Sequence, residues 1–415
     1  MYLFFIYYLL SPFFFLVLKI ISIFNTKIKV LQSDQKKSLL SVKSKLNTNK
    51  KKIIIHAASA GEYEQVKPLI KKIDKNIYFI IVTCMSPTIY NLIKQDNLGN
   101  VCCYHPFDFP WAAKTFYKII DPDIYLTTRH DVWPIHLNLA NKFKIKTIII
   151  NANLYENSNR LKWYSISFTR YIFNLFDTII VPTKRIKKVF ENHLKINSLN
   201  VISDTRFDQI LYRKKHSKEI FELNNLSNDN IIFGSISSKD LTLLESFIQN
   251  LDFKKITQNL IIVPHEIDLQ LINDIEKVFL QTKHFKQVKR FTYLDKNSLP
   301  KVIIIDKVGI LPELYKYSKF AYIGGGFGLG VHSTIEPLVY NNIVCYGPNI
   351  DLLDEAKEMN EIDCGFIVNN GKEFYEKYLE YLNISKFQEI KIKIDEYLNA
   401  KKASSNEIIK VINDI

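Results

Sequence analysis

Glu62 is the acid at the turn in "HAASAGEYEQVKPLI", where a short apolar run, Ile53-Ile54-Ile55, gives way to a helical pattern. Ser59-Ala60-Gly61-Glu62 has the S-x-x-E spacing of a capping box, in which Ser and Glu each satisfy the other's free backbone N–H. The same carboxylate, beside a glycine at a strand-to-helix turn, is also placed to take a proton. Residue types alone leave both roles open. A helix dipole at that position is expected to keep the acid ionised, at some cost in basicity.

A second chemical signal is "FAYIGGGFGLGVHSTIEPLV", a strand pattern running into Gly324-Gly325-Gly326-Phe327-Gly328-Leu329-Gly330 and then a helical pattern. Glycines there let backbone N–H groups approach a phosphate, and a helix N-terminus adds a favourable dipole. The run fails the dinucleotide fingerprint, because Leu329 or Val331 stands where the third glycine belongs, and no G-K-[ST] follows for a P-loop. Glu336, expected one to two turns into the following helix, suits a bidentate bond to a ribose diol. "VPHEID" puts His265 and Glu266 directly after an apolar run, and "FGSISSKD" does the same for Ser235, Ser237 and Ser238. "TRHDVWP" places Asp131 after another such run. A Ser-His-Asp order and a nucleophile elbow are missing, which disfavours a hydrolase. No D-x-D or His/carboxylate cluster suggests a metal.

These residues need a scaffold that brings loop ends together. Short β-branched runs alternate with helical patterns: "KIIIH", "IYFIIVT", "IYLTT", "KTIIIN", "DTIIVP" and "NVIS", then "NIIFGS", "NLIIVPHE", "KVIIID", "KFAYIGGG" and "IVCYGP". That alternation implies βαβ units and parallel sheets, hence two doubly wound α/β domains facing across a cleft, with ligands at the carboxyl ends of the strands. The polar stretch "DTRFDQILYRKKHSKEIFELNNLSND" makes a plausible junction between them. The expected division is a membrane anchor over 1–24, a linker over 25–51, a first α/β domain over 52–204, a second α/β domain over 205–385 and a helical segment over 386–415.

The chain has 415 residues, 47% of them hydrophobic and 24% charged, ordinary proportions for a folded protein of two domains. Its net charge of +14 suggests an anionic partner, though abundant Lys, Ile and Asn with scarce Arg reads equally as base composition. Basic and aromatic residues do not interleave on a recognisable nucleic-acid module, so nucleic acid is not expected as a partner. Five cysteines form no C-x-x-C pair, which argues for a reducing compartment. The first 18 residues carry no charge, close to the roughly 20 apolar residues that span a bilayer. Lys19, Lys27, Lys29, Lys36 and Lys37 follow, which by the positive-inside rule places the body on the cytoplasmic face. Pro12 and the aromatic content also suit a segment lying in the interface.

Seven stretches in register resemble the 3-deoxy-D-manno-octulosonic acid (Kdo) transferases of lipopolysaccharide assembly. They are "HAASAGEYEQVKPLI", "YHPFDFPWA", "NANLYENS", "SDTRFDQI", "LIIVPHE", "YIGGGFGLGVHSTIEP" and "YGPNIDLLDEA". The resemblance implies two Rossmann-like domains of glycosyltransferase-B type, 52–204 binding the acceptor and 205–385 the donor, with an N-terminal membrane anchor helix at the cell inner membrane. It implies metal-independent, inverting transfer of Kdo from CMP-Kdo to a phosphorylated lipid A precursor (lipid IVA), with membrane lipid around the anchor and no cofactor. By position, Glu62 matches the family's catalytic base. On the donor side, the resemblance implies roles for Ser235, His265, Gly324, Gly325, Gly326, Phe327, Gly328 and Glu336. Ser59, Asp131 and Arg206 are expected to meet the acceptor or neutralise its charge, although Arg206 at the junction equally suits an interdomain salt bridge. Three departures bear on acceptor contacts and fine donor geometry: Arg129 stands for the first Glu of E-T-E-L-W-P, Ser333 for the Asn of H-N-x-L-E-P, and Ser203 for the Gly before "DTRFD". A competing reading is another nucleotide-sugar transferase of the same fold acting on a membrane lipid, which binding of UDP in place of CMP would reveal.

Overall fold

The computed structural model describes residues 2–282, 284–285, 287–295 and 298–415; Met1 of the expected anchor and four residues of the expected donor-binding domain lie outside them. The chain divides into two compact units, Met1–Gln209 with Lys401–Ile415, and Ile210–Ala400. The division falls within the helix Arg206–Lys215, a few residues beyond the expected boundary at 204.

The first unit holds seven strands: β1 Lys51–His56, β2 Tyr78–Cys84, β3 Val101–Tyr104, β4 Ile124–Thr128, β5 Lys146–Ile150, β6 Thr178–Val181 and β7 Asn200–Val201. They form one sheet in the order β3-β2-β1-β4-β5-β6-β7, every adjacent pair parallel. Isoleucine runs suit such strands because both faces are covered. Ile53 and Ile55 enter one buried cluster and Ile54 the other, as a period of two requires. β3, "VCCY", was not among the expected strands; four residues with two cysteines carry little β-signal. Helices Pro87–Asp96, Pro110–Ile120 and Pro134–Lys142 each begin with proline, whose missing N–H costs nothing in a first turn.

The first and last of the expected terminal segments are helical as expected, whereas the expected linker is not a linker. Helix Tyr2–Phe24 is long and apolar enough to cross a membrane, yet it runs along the first unit, with Phe4 5.3 Å from Tyr171 and Phe15 5.4 Å from Phe109 between ring centroids. The stretch expected as a linker instead holds helix Thr26–Lys43. Its Val42 is buried, and Gln35 Nε2 donates to the His105 carbonyl at 3.0 Å. Its few apolar positions sit among lysines and serines, which hid the helix. The C-terminal stretch splits: Ile384–Lys401 stays largely with the second unit, while Ser404–Asn413 packs Ile408 and Ile412 into the core against β1 and β2.

The second unit repeats the plan with β8 Asn230–Ile236, β9 Leu260–Pro264, β10 Val288–Arg290, β11 Val302–Ile304, β12 Ser318–Ile323, β13 Ile343–Tyr346 and β14 Gly365–Ile367. Their order is β10-β11-β9-β8-β12-β13-β14, again parallel throughout. The three-residue β10 and β14, on the two edges, were not among the expected strands. In each sheet the direction of winding reverses once, between β1 and β4 and between β8 and β12. Ligands of doubly wound sheets sit outside the strand carboxyl ends at such a reversal.

Candidate active site

In the first unit the reversal is flanked by the loop from β1 to helix Ala60–Lys72 and the loop after β4. Ser59 is the N-cap, and the box predicted from its spacing is closed on both sides. The Glu62 N–H donates to Ser59 Oγ at 3.3 Å, and the Ser59 N–H donates to Glu62 Oε2 at 2.9 Å. Glu62 Oε1 takes no hydrogen bond among the described residues. Glu62 is buried, and its pKa is raised, first by burial and then by the Asp131 carboxylate. The Ser59 bonds and His56 pull the other way without prevailing. The cost in basicity expected from the helix dipole is offset here, because the net shift is upward. Loss of water outweighs a half-charge at the helix end.

Asp131 comes from beyond β4. Its Oδ2 lies 2.6 Å from Nε2 of the buried His56, whose Nδ1 is 2.9 Å from Thr83 Oγ1. Burial would raise Asp131, but His56, the Trp133 indole and Arg160 outweigh it and hold the carboxyl below its usual range. Behind His56 the rings of His105 and His136 follow, with centroids 4.1 and 4.3 Å apart along the series. Burial, with the neighbouring imidazoles, holds His105 well below the ordinary histidine range and His136 at about 3. Asp131 thus meets an imidazole within the fold. Arg206 likewise pairs inside its own unit, its Nε 3.1 Å from Asp204, which also accepts from Gln65 Nε2 at 3.0 Å.

At the reversal in the second unit, Ser235 leaves β8 in the left-handed region (φ 55°) and the glycine loop leaves β12. A Cβ on Gly324 would stand 2.2 Å from the Ser235 carbonyl oxygen, and one on Gly326 2.6 Å from the backbone of Gly347. Glycine is therefore required here by packing of the loop against the end of β8 and the segment after β13. The Gly325 N–H is already donated to the buried Asp240, at 3.1 Å, and the Gly328 N–H to the Gly325 carbonyl. Those of Gly326 and Phe327 have no partner among the described residues and remain for an anion. His265 is exposed, stacked on His332 with centroids 4.1 Å apart, and His332 abuts Gly325. Glu336 is the second residue of a four-residue helix, Ile335–Leu338, and so lies in its first turn instead of deeper in a long helix. Pro337 and the turn at Asn341 and Asn342 keep that helix short.

The folds thus bring Ser59, Glu62 and Asp131 to one crevice, and Ser235, His265 and Gly324 to Gly328 to another. Sequence reasoning missed His56, Asp240 and His332. His56 ends an isoleucine run, and a histidine buried there needs a partner, but nothing in the sequence names Asp131 as that partner. Among the described residues no group of three His, Cys, Asp or Glu side chains is placed to hold a metal ion.

The chain is similar to known proteins in sequence and in fold. Residues 33–209 match the family model of the 3-deoxy-D-manno-octulosonic-acid transferase (kdotransferase). The chain is 27% identical over 353 residues to the 3-deoxy-D-manno-octulosonic acid transferase of Aquifex aeolicus (strain VF5), covering 84% of this chain and 91% of that one. It is 24% identical over 375 residues to the same-named protein of Rickettsia prowazekii (strain Madrid E), covering 87% and 77%. Among solved structures it is similar in fold to the UDP-GlcNAc 2-epimerase of Neisseria meningitidis bound to UDP-GlcNAc. That match has a TM-score of 0.63 and 14% identity, over 87% of this chain and all (100%) of the other.

Proposed function

We propose that this chain is a Kdo glycosyltransferase of lipopolysaccharide synthesis, as its similarity to the 3-deoxy-D-manno-octulosonic acid transferases supports, and that it moves Kdo from CMP-Kdo to lipid IVA with inversion, Glu62 acting as general base. The observation that carries the mechanism is the divided use of Glu62. Oε2 closes the cap and holds the side chain still, while Oε1 is unbonded among the described residues. Its raised pKa makes it a better proton acceptor than an exposed glutamate. In the reaction, Oε1 takes the proton of an acceptor hydroxyl, the hydroxyl oxygen bonds to the anomeric carbon of Kdo, and CMP leaves with the electron pair. Asp131, held by His56, keeps negative charge near Glu62 and so preserves its basicity.

On the donor side, the free N–H groups of Gly326 and Phe327 suit the CMP phosphate, with Ser235 and His265 beside it and Glu336 toward the ribose. No metal or other cofactor is assigned a part. Helix Tyr2–Phe24 anchors the protein at the inner membrane, with the body on the cytoplasmic face, as the lysines that follow it suggest. The basic charge suits an acceptor bearing phosphates in an anionic membrane.

The test is incubation of the purified protein with CMP-Kdo and a tetraacylated, bisphosphorylated lipid A precursor, with the product weighed by mass spectrometry. Glu62→Gln is expected to lower kcat by about 10²–10⁴ while CMP-Kdo binding persists. Near-normal turnover of that variant would remove Glu62 from the mechanism.

A further inference from the structure

Between helix Tyr2–Phe24 and the body of the first unit lies a cavity of about 360 Å³. Phe14 and Leu18 of the helix and Phe107, Phe109 and Trp133 of the body form its apolar wall. The polar groups of Ser11, Tyr7 and Asp108 in its lining are already engaged. Ser11 Oγ donates to the Tyr8 carbonyl at 2.7 Å, and Tyr7 donates its hydroxyl to Asp108 Oδ2 at 2.9 Å. Asp108 also accepts from the N–H groups of Ile135 and His136 at 3.1 and 3.0 Å. The Trp133 indole Nε1 is itself buried, with no hydrogen-bond partner among the described residues. A polar guest would give up hydration there without new hydrogen bonds from Ser11, Tyr7 or Asp108, whereas hydrocarbon gives up nothing.

The source of that hydrocarbon follows from the helix itself. Phe5, Leu9, Phe13 and Leu16 are each more than half exposed, an apolar surface that bilayer lipid covers. Phe14 both lines the cavity and is exposed on that helix. The inner wall of the cavity reaches the candidate active site through Trp133, whose ring lies 6.4 Å from His56. We propose that this cavity takes an acyl chain of the lipid acceptor, so that hydrocarbon seated against Trp133 presents the acceptor sugar to the crevice at Glu62. The inference rests on the transferase reading above and adds a preference for acylated acceptor to it.

Trp133 supplies the readout. In a W111F/W163F protein, where it is the sole tryptophan, vesicles of phosphatidylcholine with brominated acyl chains should quench its fluorescence. Unbrominated tetraacylated acceptor should relieve the quenching, and fully deacylated acceptor should not. Ser11→Phe fills the cavity and should abolish the quenching. Leu18→Phe narrows the same space from the next turns and covers the case of a folding defect in the first variant. Both should also shrink, about tenfold or more, the kcat/KM preference for acylated over deacylated acceptor. Quenching that is absent, that persists unchanged in both filled variants, or that both acceptors relieve equally overturns the proposal. A protein that transfers to no acceptor at all refutes the transferase reading alone, because the quenching still reports whether hydrocarbon occupies the cavity.

Discussion

Oε2 of Glu62 is held by the Ser59 N–H, and the charge of Asp131 stands behind the carboxylate. These two neighbours pull its pKa in opposite directions, which makes the assignment testable by pH. Because kcat/KM requires the ionised base, it should rise with pH through a Glu62 pKa above the ordinary glutamate value of about 4.3. Asp131→Asn removes a like charge and should move that limb to lower pH. Ser59→Ala keeps the backbone bond to Oε2 but removes the smaller side-chain contribution that favours the ionised form, so the limb should move up slightly while the helix loses about 1 kcal/mol of cap stabilisation. Stopped-time product assays across pH would show both shifts. A limb unmoved by either change means another group is the base.

At the level of elements, helix Pro134–Lys142 begins at the Asp108 carboxylate, which satisfies two of its free N–H groups. Burial raises Asp108 from 3.8 to about 6. Between those values the folded state holds more protons than the unfolded one, so this group makes stability fall as pH rises, by about 3 kcal/mol in total. Urea midpoints of Asp108→Asn should lack that fall between about pH 4 and 6. The glycine loop gives a steric test. Gly326→Ala places a methyl 2.6 Å from the Gly347 backbone and should destabilise the second unit by about 1–3 kcal/mol and weaken CMP-Kdo binding. Gly61→Ala meets nothing within 4 Å and should raise thermal stability by up to about 1 kcal/mol. If transfer falls in that stabilised protein, the space above Gly61 belongs to the substrate.

For the molecule as a whole, removal of residues 1–24 should release the protein from membranes with activity on a soluble acceptor retained; firm residual binding in a flotation assay would place the anchor elsewhere. Loss of residues 401–415 should instead unsettle the first unit. Ile408 and Ile412 are fully buried in it, each contributing about 1.5–3 kcal/mol, and Asp208 accepts from the N–H groups of Ala403 and Ser405. Nothing local foretold that return, because the helix takes its meaning from a core built some 340 residues earlier in the chain. The isoleucine runs, the capping box, the apolar first helix and the glycine loop were legible, since each is a pattern of a few neighbours whose burial or backbone freedom is set by their own types. The order of the strands brought Asp131 to His56 and His332 to His265, and laid Trp133 against the first helix. Those meetings are side-chain contacts between residues far apart in sequence, and only the packing of whole elements decides which partners share one unhydrated space.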